Sequence, residues 1–222
     1  MESSRRPVAR AMPSVAGLMF VLLLGGGCES AYYGAMEQVG VHKRDILVDR
    51  VEAAADSQQA AKEEFENAFE QFASVVSVSP SRLRTTYNRL NDAFEDAEGR
   101  AAQVAERIDA VASVSGALFD EWREEIELIG DQRLKASSRE QLQRSKQRYD
   151  SLMTAMRRAE SRMEPVLGTF RDYVLYLKHN LNAQAIASLE GELDGVQSDV
   201  STLVRDMEAS IGEARAFIQS MQ

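Results

Sequence analysis

The stretch Leu83–Val111, LRTTYNRLNDAFEDAEGRAAQVAERIDAV, decides the fold. In it Leu83, Tyr87, Leu90, Phe94, Ala97, Ala101, Val104, Ile108 and Val111 follow one another at alternating steps of four and three. This is the 3.5-residue period of a coiled-coil heptad, which keeps an apolar seam on one side of a helix. A half-buried strand would alternate at every second residue, and this stretch does not. The stripe runs on through Leu118, Trp122, Ile126 and Ile129, and Gly130 supplies a stop.

Working outward, the same pattern recurs on both sides. Upstream, from about Asp45, Phe65, Phe69, Phe72 and Val75 line one helical face, and Ser79-Pro80 reads as a cap and first turn for the next helix. Downstream, Ser138-Arg139-Glu140-Gln141 reads as a capping box opening a third helix. Its stripe is Tyr149, Leu152, Met156, Ala159, Met163, Val166, Phe170, Tyr173 and Leu177. Pro165 lies inside that stripe without shifting its phase, so a kink is expected there rather than a break. Asn180-Leu181-Asn182 forms a turn into a fourth helix carrying Ile186, Leu189, Leu193, Val196, Val200, Leu203 and Met207, then Ile211, Ala214, Ile218 and Met221.

The expectation is an all-α protein: an elongated antiparallel bundle of about four long helices with coiled-coil heptads, over residues 44–222. The second and third helices would each be roughly 60–75 Å long at about 1.5 Å per residue. Short connections force sequential helices to run antiparallel. Composition agrees, because 44% of the 222 residues are hydrophobic, 27% charged and only 7% aromatic, with four prolines. That is the bias of long helices, with enough apolar material for a core.

Charge adds a rule for assembly. Residues 44–130 carry 9 basic against 19 acidic side chains, residues 131–180 carry 11 against 6, and residues 181–222 carry 2 against 7. A basic third helix between acidic neighbours is expected to use flanking charges to choose partners and register. An acidic ligand such as a lipid headgroup or a cell-wall carboxylate is the alternative use of that face.

The first thirty residues carry a different signal. Arg5, Arg6 and Arg10 precede the apolar run Val15–Leu24, which is followed by Gly25-Gly26-Gly27 and the single cysteine, Cys28. A positive n-region, a ten-residue apolar run and small residues make a secretory signal, too short for a membrane span of about 20 residues. A buried helix of the mature fold is the competing reading, and three glycines would end such a helix at high cost. Three arginines against Glu2 give residues 1–27 a charge of +2, so residues 28–222 carry −11 of the whole-chain −9. Such a product is repelled by nucleic-acid phosphates and by anionic lipid surfaces, so no nucleic-acid partner is expected.

Leu24-Gly25-Gly26-Gly27-Cys28 resembles the lipobox of bacterial lipoproteins, with Gly25 where leucine is usual. The resemblance implies that residues 1–27 are removed, that Cys28 is acylated, and that residues 28–43 are a tether. A lone thiol cannot form an intramolecular disulfide, and an intermolecular disulfide or an incidental thiol are the other readings. Glu29 rather than Asp after the cysteine favours the outer membrane over the inner one, with the chain facing the periplasm.

No chemistry-bearing constellation accompanies this architecture. His42 and His179 lie 137 positions apart with no second ligand at zinc-site spacing, and His179 reads as a favourable helix C-terminal residue. Glu63-Glu64-Glu66 and Glu124-Glu125-Glu127 read as solvated faces. There is no phosphate loop, nucleophile elbow or Cys–His pair, so no enzyme activity and no cofactor are expected. Trp122 and the Met156/Met163 pair could line a binding groove, though heptad spacing favours core.

Three stretches, Tyr32–Glu52 (YYGAMEQVGVHKRDILVDRVE), Arg107–Trp122 (RIDAVASVSGALFDEW) and Ala155–Leu189 (AMRRAESRMEPVLGTFRDYVLYLKHNLNAQAIASL), are similar to an uncharacterised family of Gram-negative bacterial proteins catalogued as a domain of unknown function. Its members are usually described as lipoproteins or helical envelope proteins. The resemblance covers essentially the whole mature chain and implies no known activity, cofactor or catalytic residue. The sequence therefore reads as a lipid-anchored helical bundle of the cell envelope, held to the membrane through Cys28 and acting on a protein partner or by self-association. The alternative is a chaperone-like or adaptor module holding a peptide or lipid between helices.

Overall fold

A computed structural model describes residues 42–221. The expectations for the signal segment, for Cys28 and for nearly all of the tether lie outside the described residues. Among the described residues there are five α-helices: α1 Lys43–Val76, α2 Leu83–Leu128, α3 Gln132–His179, α4 Ala183–Glu190 and α5 Leu193–Met221, with a 3-10 turn at Pro80–Arg82 between α1 and α2. The expected count of four is corrected, because the last helix divides at Gly191-Glu192. Glycine leaves a helix cheaply, and the Glu192 amide there bonds back only three residues, to the Leu189 carbonyl at 3.1 Å. Leu189 and Leu193 nonetheless both pack inward, so the apolar stripe keeps its phase across the interruption.

The long helices close a ring in which α1 packs on α2, α2 on α3, α3 on α5 and α5 on α1. Ion pairs between helices fix the directions. Lys43 at the start of α1 meets Glu121 near the end of α2 at 3.0 Å. Going up α3, Arg157 meets Asp109 and Arg171 meets Glu98, so α2 runs the opposite way. On its other flank α3 sends Arg158 and Arg162 to Asp206 of α5, and Lys62 of α1 meets Glu208 at 3.1 Å.

Inside the ring, the Leu83–Val111 stripe is the seam of α2. Leu83, Leu90, Phe94, Ala97, Val104, Ile108 and Val111 are buried, with Tyr87 and Ala101 half-buried. The diagonal pair α1 and α3 meets through aromatic rings. Phe72 packs edge-on to Phe170 at 6.5 Å between centroids and stacks on Tyr173 at 4.9 Å. Both phenylalanines are fully buried, and a ring of that size contributes more than any surface ion pair.

Helix ends depart from expectation in two places. The α3 start lies at Gln132, because Asp131 caps it by accepting from the Arg133 and Leu134 amides at 2.8 and 3.1 Å. A helix already propagating from Asp131 absorbs the Ser138–Gln141 motif into its second turn, where no cap is needed. At the α1–α2 junction, Ser79 donates or accepts a bond with the Ser81 hydroxyl at 3.2 Å instead of capping, and the 3-10 turn intervenes before α2. The α3 helix runs unbroken through Pro165, whose carbonyl also accepts from the Thr169 hydroxyl at 3.2 Å. Asn182 caps α4 as a turn residue should, accepting from the Ala185 amide at 3.0 Å.

The charge rule holds. The basic α3 is flanked by carboxylates of α2 on one side and of α5 on the other. Asp109 and then Glu160 raise the Arg157 pKa further above its ordinary value, and Glu98 and then Glu164 do the same for Arg171. These exposed pairs are screened by water and add little to stability, so they select register while the seams hold the bundle.

Candidate functional site

The helices end at different heights, and this creates the most structured surface feature. Lys43 lies level with Glu121, yet α2 continues to Leu128 and returns as α3 from Gln132. The α2–α3 hairpin thus overhangs the starts of α1 and the end of α5 by about 10–20 Å at 1.5 Å per residue. Two helices cannot enclose a stripe that four would. The overhang keeps a small core of its own, Phe119, Ile126 and Leu142, with Trp122 and Tyr149 packed half-buried against it. Phe119 meets Tyr149 edge-on at 5.4 Å, with the Lys146 ammonium 5.6 Å from the Phe119 ring centre.

A groove of about 450 Å³ opens where the four-helix section gives way to the hairpin. Leu118, Trp122 and Met221 supply apolar wall, while Arg44, Arg144 and Arg148 bring guanidinium groups from α1 and α3. Glu121 and Glu125 of α2 also line it, and Lys43 holds Glu121. The Trp122 indole donates to the Ser138 hydroxyl at 3.0 Å, which fixes the ring across the α2–α3 interface. A shallower groove of about 970 Å³ adjoins it around His42, Asp45, Val48 and Asp49. An apolar wall with a mixed-charge rim fits an extended peptide or an acyl chain with a polar head.

Trp122, which the sequence leaves open between core and groove, is partly both. Met156 and Met163 are core. The convergence of Arg44 with Arg144 and Arg148 was not foreseen, because it depends on the register between α1 and α3, which no local pattern encodes. His42 sits at the start of α1 and His179 at the far end of α3, so folding keeps them at opposite ends of the bundle. The glutamates at 124, 125 and 127 are exposed, as are Glu63 and Glu66. Among the described residues no group of three or more His, Cys, Asp or Glu side chains could hold a metal ion, and no helix is long and apolar enough to cross a membrane.

Two electrostatic features bracket the rod. At the hairpin end, Lys135 and then Arg139 bond the Glu127 carboxylate and hold its pKa down to about 2. At the other end, burial pushes the Tyr173 phenol above its ordinary value, reinforced by Glu192 at 3.5 Å. Between them, Gln58 is fully buried in α1 with neither amide atom hydrogen-bonded to the protein, and the hydroxyls of Ser57 and Ser210 are likewise unbonded. The Lys62–Glu208 pair brings Gln58 and Ser210 to within about one turn of the same level. Polar groups left so in a seam cost stability and oppose slippage to other registers.

The chain belongs to the family described as "Protein of unknown function (DUF2959)", whose sequence model matches residues 32–221. No curated protein matches it.

Proposed function

We propose that this member of the DUF2959 family is a lipid-anchored helical rod of the cell envelope, facing the periplasm from the outer membrane and working through protein contacts or self-association. The observation that carries the reading is the lipobox-like Leu24–Cys28 stretch placed 15 residues ahead of Lys43, where a rod about 70 Å long begins. Two or three acyl chains on one thiol hold a protein stably on a bilayer, whereas one chain does so only marginally. The closed seams of the middle section favour a structural member over an enzyme, since catalysis needs polar groups converging in a pocket. Cys28→Ala should move the chain from the membrane to the soluble fraction, and unchanged fractionation would defeat the anchor. Crosslinking in intact cells should recover a partner or a second copy.

A second reading has its own support. The groove beside Trp122 is the place where stripe residues are left partly open, as an adaptor holding a peptide or lipid requires. Trp122 is the only tryptophan in the chain, so its emission reports occupancy of that groove directly.

A further inference from the structure

The large apolar side chains left exposed fall at the two ends of the rod. Leu128 is 85% and Leu134 64% exposed on either side of the α2–α3 turn, while Leu175 at 53% and Tyr176 at 40% lie near the end of α3. Neither leucine of the turn serves the small core of the hairpin, which is made by Phe119, Ile126 and Leu142. Between them Ile129 is half-buried. The turn is therefore an apolar point at the extremity of an overhang, without a partner among the described residues.

Three observations say what covers it. The overhang extends past Lys43, at the end of the bundle from which the chain leads back to Cys28. Fifteen residues separate the two positions, a span of at most about 50 Å, so an anchored Cys28 confines this end to within that distance of the bilayer and sets no such limit on the other. The charge of the tip also differs from that of the rest. Residues 123–139 carry four basic and four acidic side chains, although residues 28–222 together carry −11. Of the acids, Glu127 is bridged by Lys135 and Arg139, and Asp131 is occupied in capping α3. The tip can thus approach a lipid surface without the repulsion that the body of the chain would feel.

We propose that the tip of the α2–α3 hairpin, Leu128, Ile129 and Leu134, inserts into the surface of the phospholipid leaflet that holds Cys28. This rests on the lipid-anchor reading and extends it from attachment to orientation. A tether alone leaves a rod free to tumble; a second contact on the same side stands it upright, with the Leu175/Tyr176 end about 70 Å away. The Glu127–Lys135–Arg139 cluster lies at headgroup depth, where basic side chains meet phosphate.

The test uses the full-length chain, acylated and purified from membranes, in vesicles of phosphatidylethanolamine and phosphatidylglycerol. Cys28 being consumed by acylation, an environment-sensitive fluorophore attached at Leu128→Cys, and separately at Leu175→Cys, labels one site each. The probe at 128 should shift to the blue and be quenched several-fold by spin-labelled lipid, and the probe at 175 should respond to neither. A Leu128→Ser/Leu134→Ser variant, labelled at Ile129→Cys, should stay on the vesicles and lose most of the quenching. Equal exposure of the two probes to water on vesicles that retain the protein overturns the proposal and leaves the anchor standing. Energy transfer between 128 probes that grows with protein density, without lipid quenching, overturns it in favour of a second copy covering the tip. Failure of the unsubstituted chain to remain on vesicles overturns both readings.

Discussion

The middle of the bundle and its overhanging hairpin are built from the same kind of sequence, and only one of them is closed. Leu83 to Val111 and Leu118 to Ile129 belong to one continuous stripe on α2. In the first part the stripe packs between α1 and α3 inside the closed four-helix ring, and most of its side chains are buried. In the second, beyond the level of Lys43 and Glu121, α3 is the neighbour among the described residues that remains, and Leu118, Trp122 and Ile129 are half-exposed. An apolar period declares which face seeks cover; how many neighbours are present at that height decides whether it is covered. The groove and the apolar tip both follow from that shortage.

Truncation in the closed section carries the largest expected effect. Phe72→Ala removes a ring that touches Phe170 and Tyr173 in the buried interior of the four-helix section, towards its far end. It should cost about 3–5 kcal/mol and lower the melting temperature by about 10 °C, measured by circular dichroism. In the hairpin, Ile126→Ala should cost about 2–4 kcal/mol, felt mainly there. Hydrogen exchange should then speed between residues 119 and 149 while protection around Phe72 and Phe170 is unchanged. Equal loss of protection in both regions would mean that the two are one cooperative unit.

Smaller effects sharpen the same contrast. Gln58→Met, close in shape and without unbonded polar atoms, should stabilise the closed section by about 1–3 kcal/mol in urea unfolding. Its expected accompaniment is a broader choice of register or oligomeric state, read by sedimentation. The smallest effect is acid sensitivity at the hairpin. Glu127 is held down to about 2, so its bridge contributes fully above the ordinary carboxylate range near 4.5 and is lost as pH falls towards 2. Glu127→Gln should remove that part of the pH dependence of hairpin exchange and leave the exchange of the four-helix section unaltered.

Much of this architecture was legible beforehand. The stripes name the core of α2, α3 and α5 almost residue by residue, because heptad spacing and burial have the same geometric cause. The charge blocks likewise anticipate the Arg157–Asp109, Arg171–Glu98 and Arg162–Asp206 pairs in kind, though not their partners. Three things were not readable. Ser138–Gln141 has the letters of a helix start, but Asp131 seven residues earlier had already satisfied the free amides. Gly191 sits in an unbroken stripe that gives no sign of the backbone interruption beside it. The open groove around Trp122 depends on α1 and α5 stopping short of α2 and α3, a matter of relative height that emerges only when all four helices are placed.

The proposed attachment through Cys28 is what would give the rod a membrane-near and a membrane-far end. Intact mass measurement of the protein extracted from membranes tests it most directly. The predicted result is a chain that begins at Cys28 and carries the added mass of a diacylglyceryl group, with or without a further amide-linked acyl chain. A chain that retains residues 1–27, or one bearing an unmodified Cys28 thiol, would contradict it.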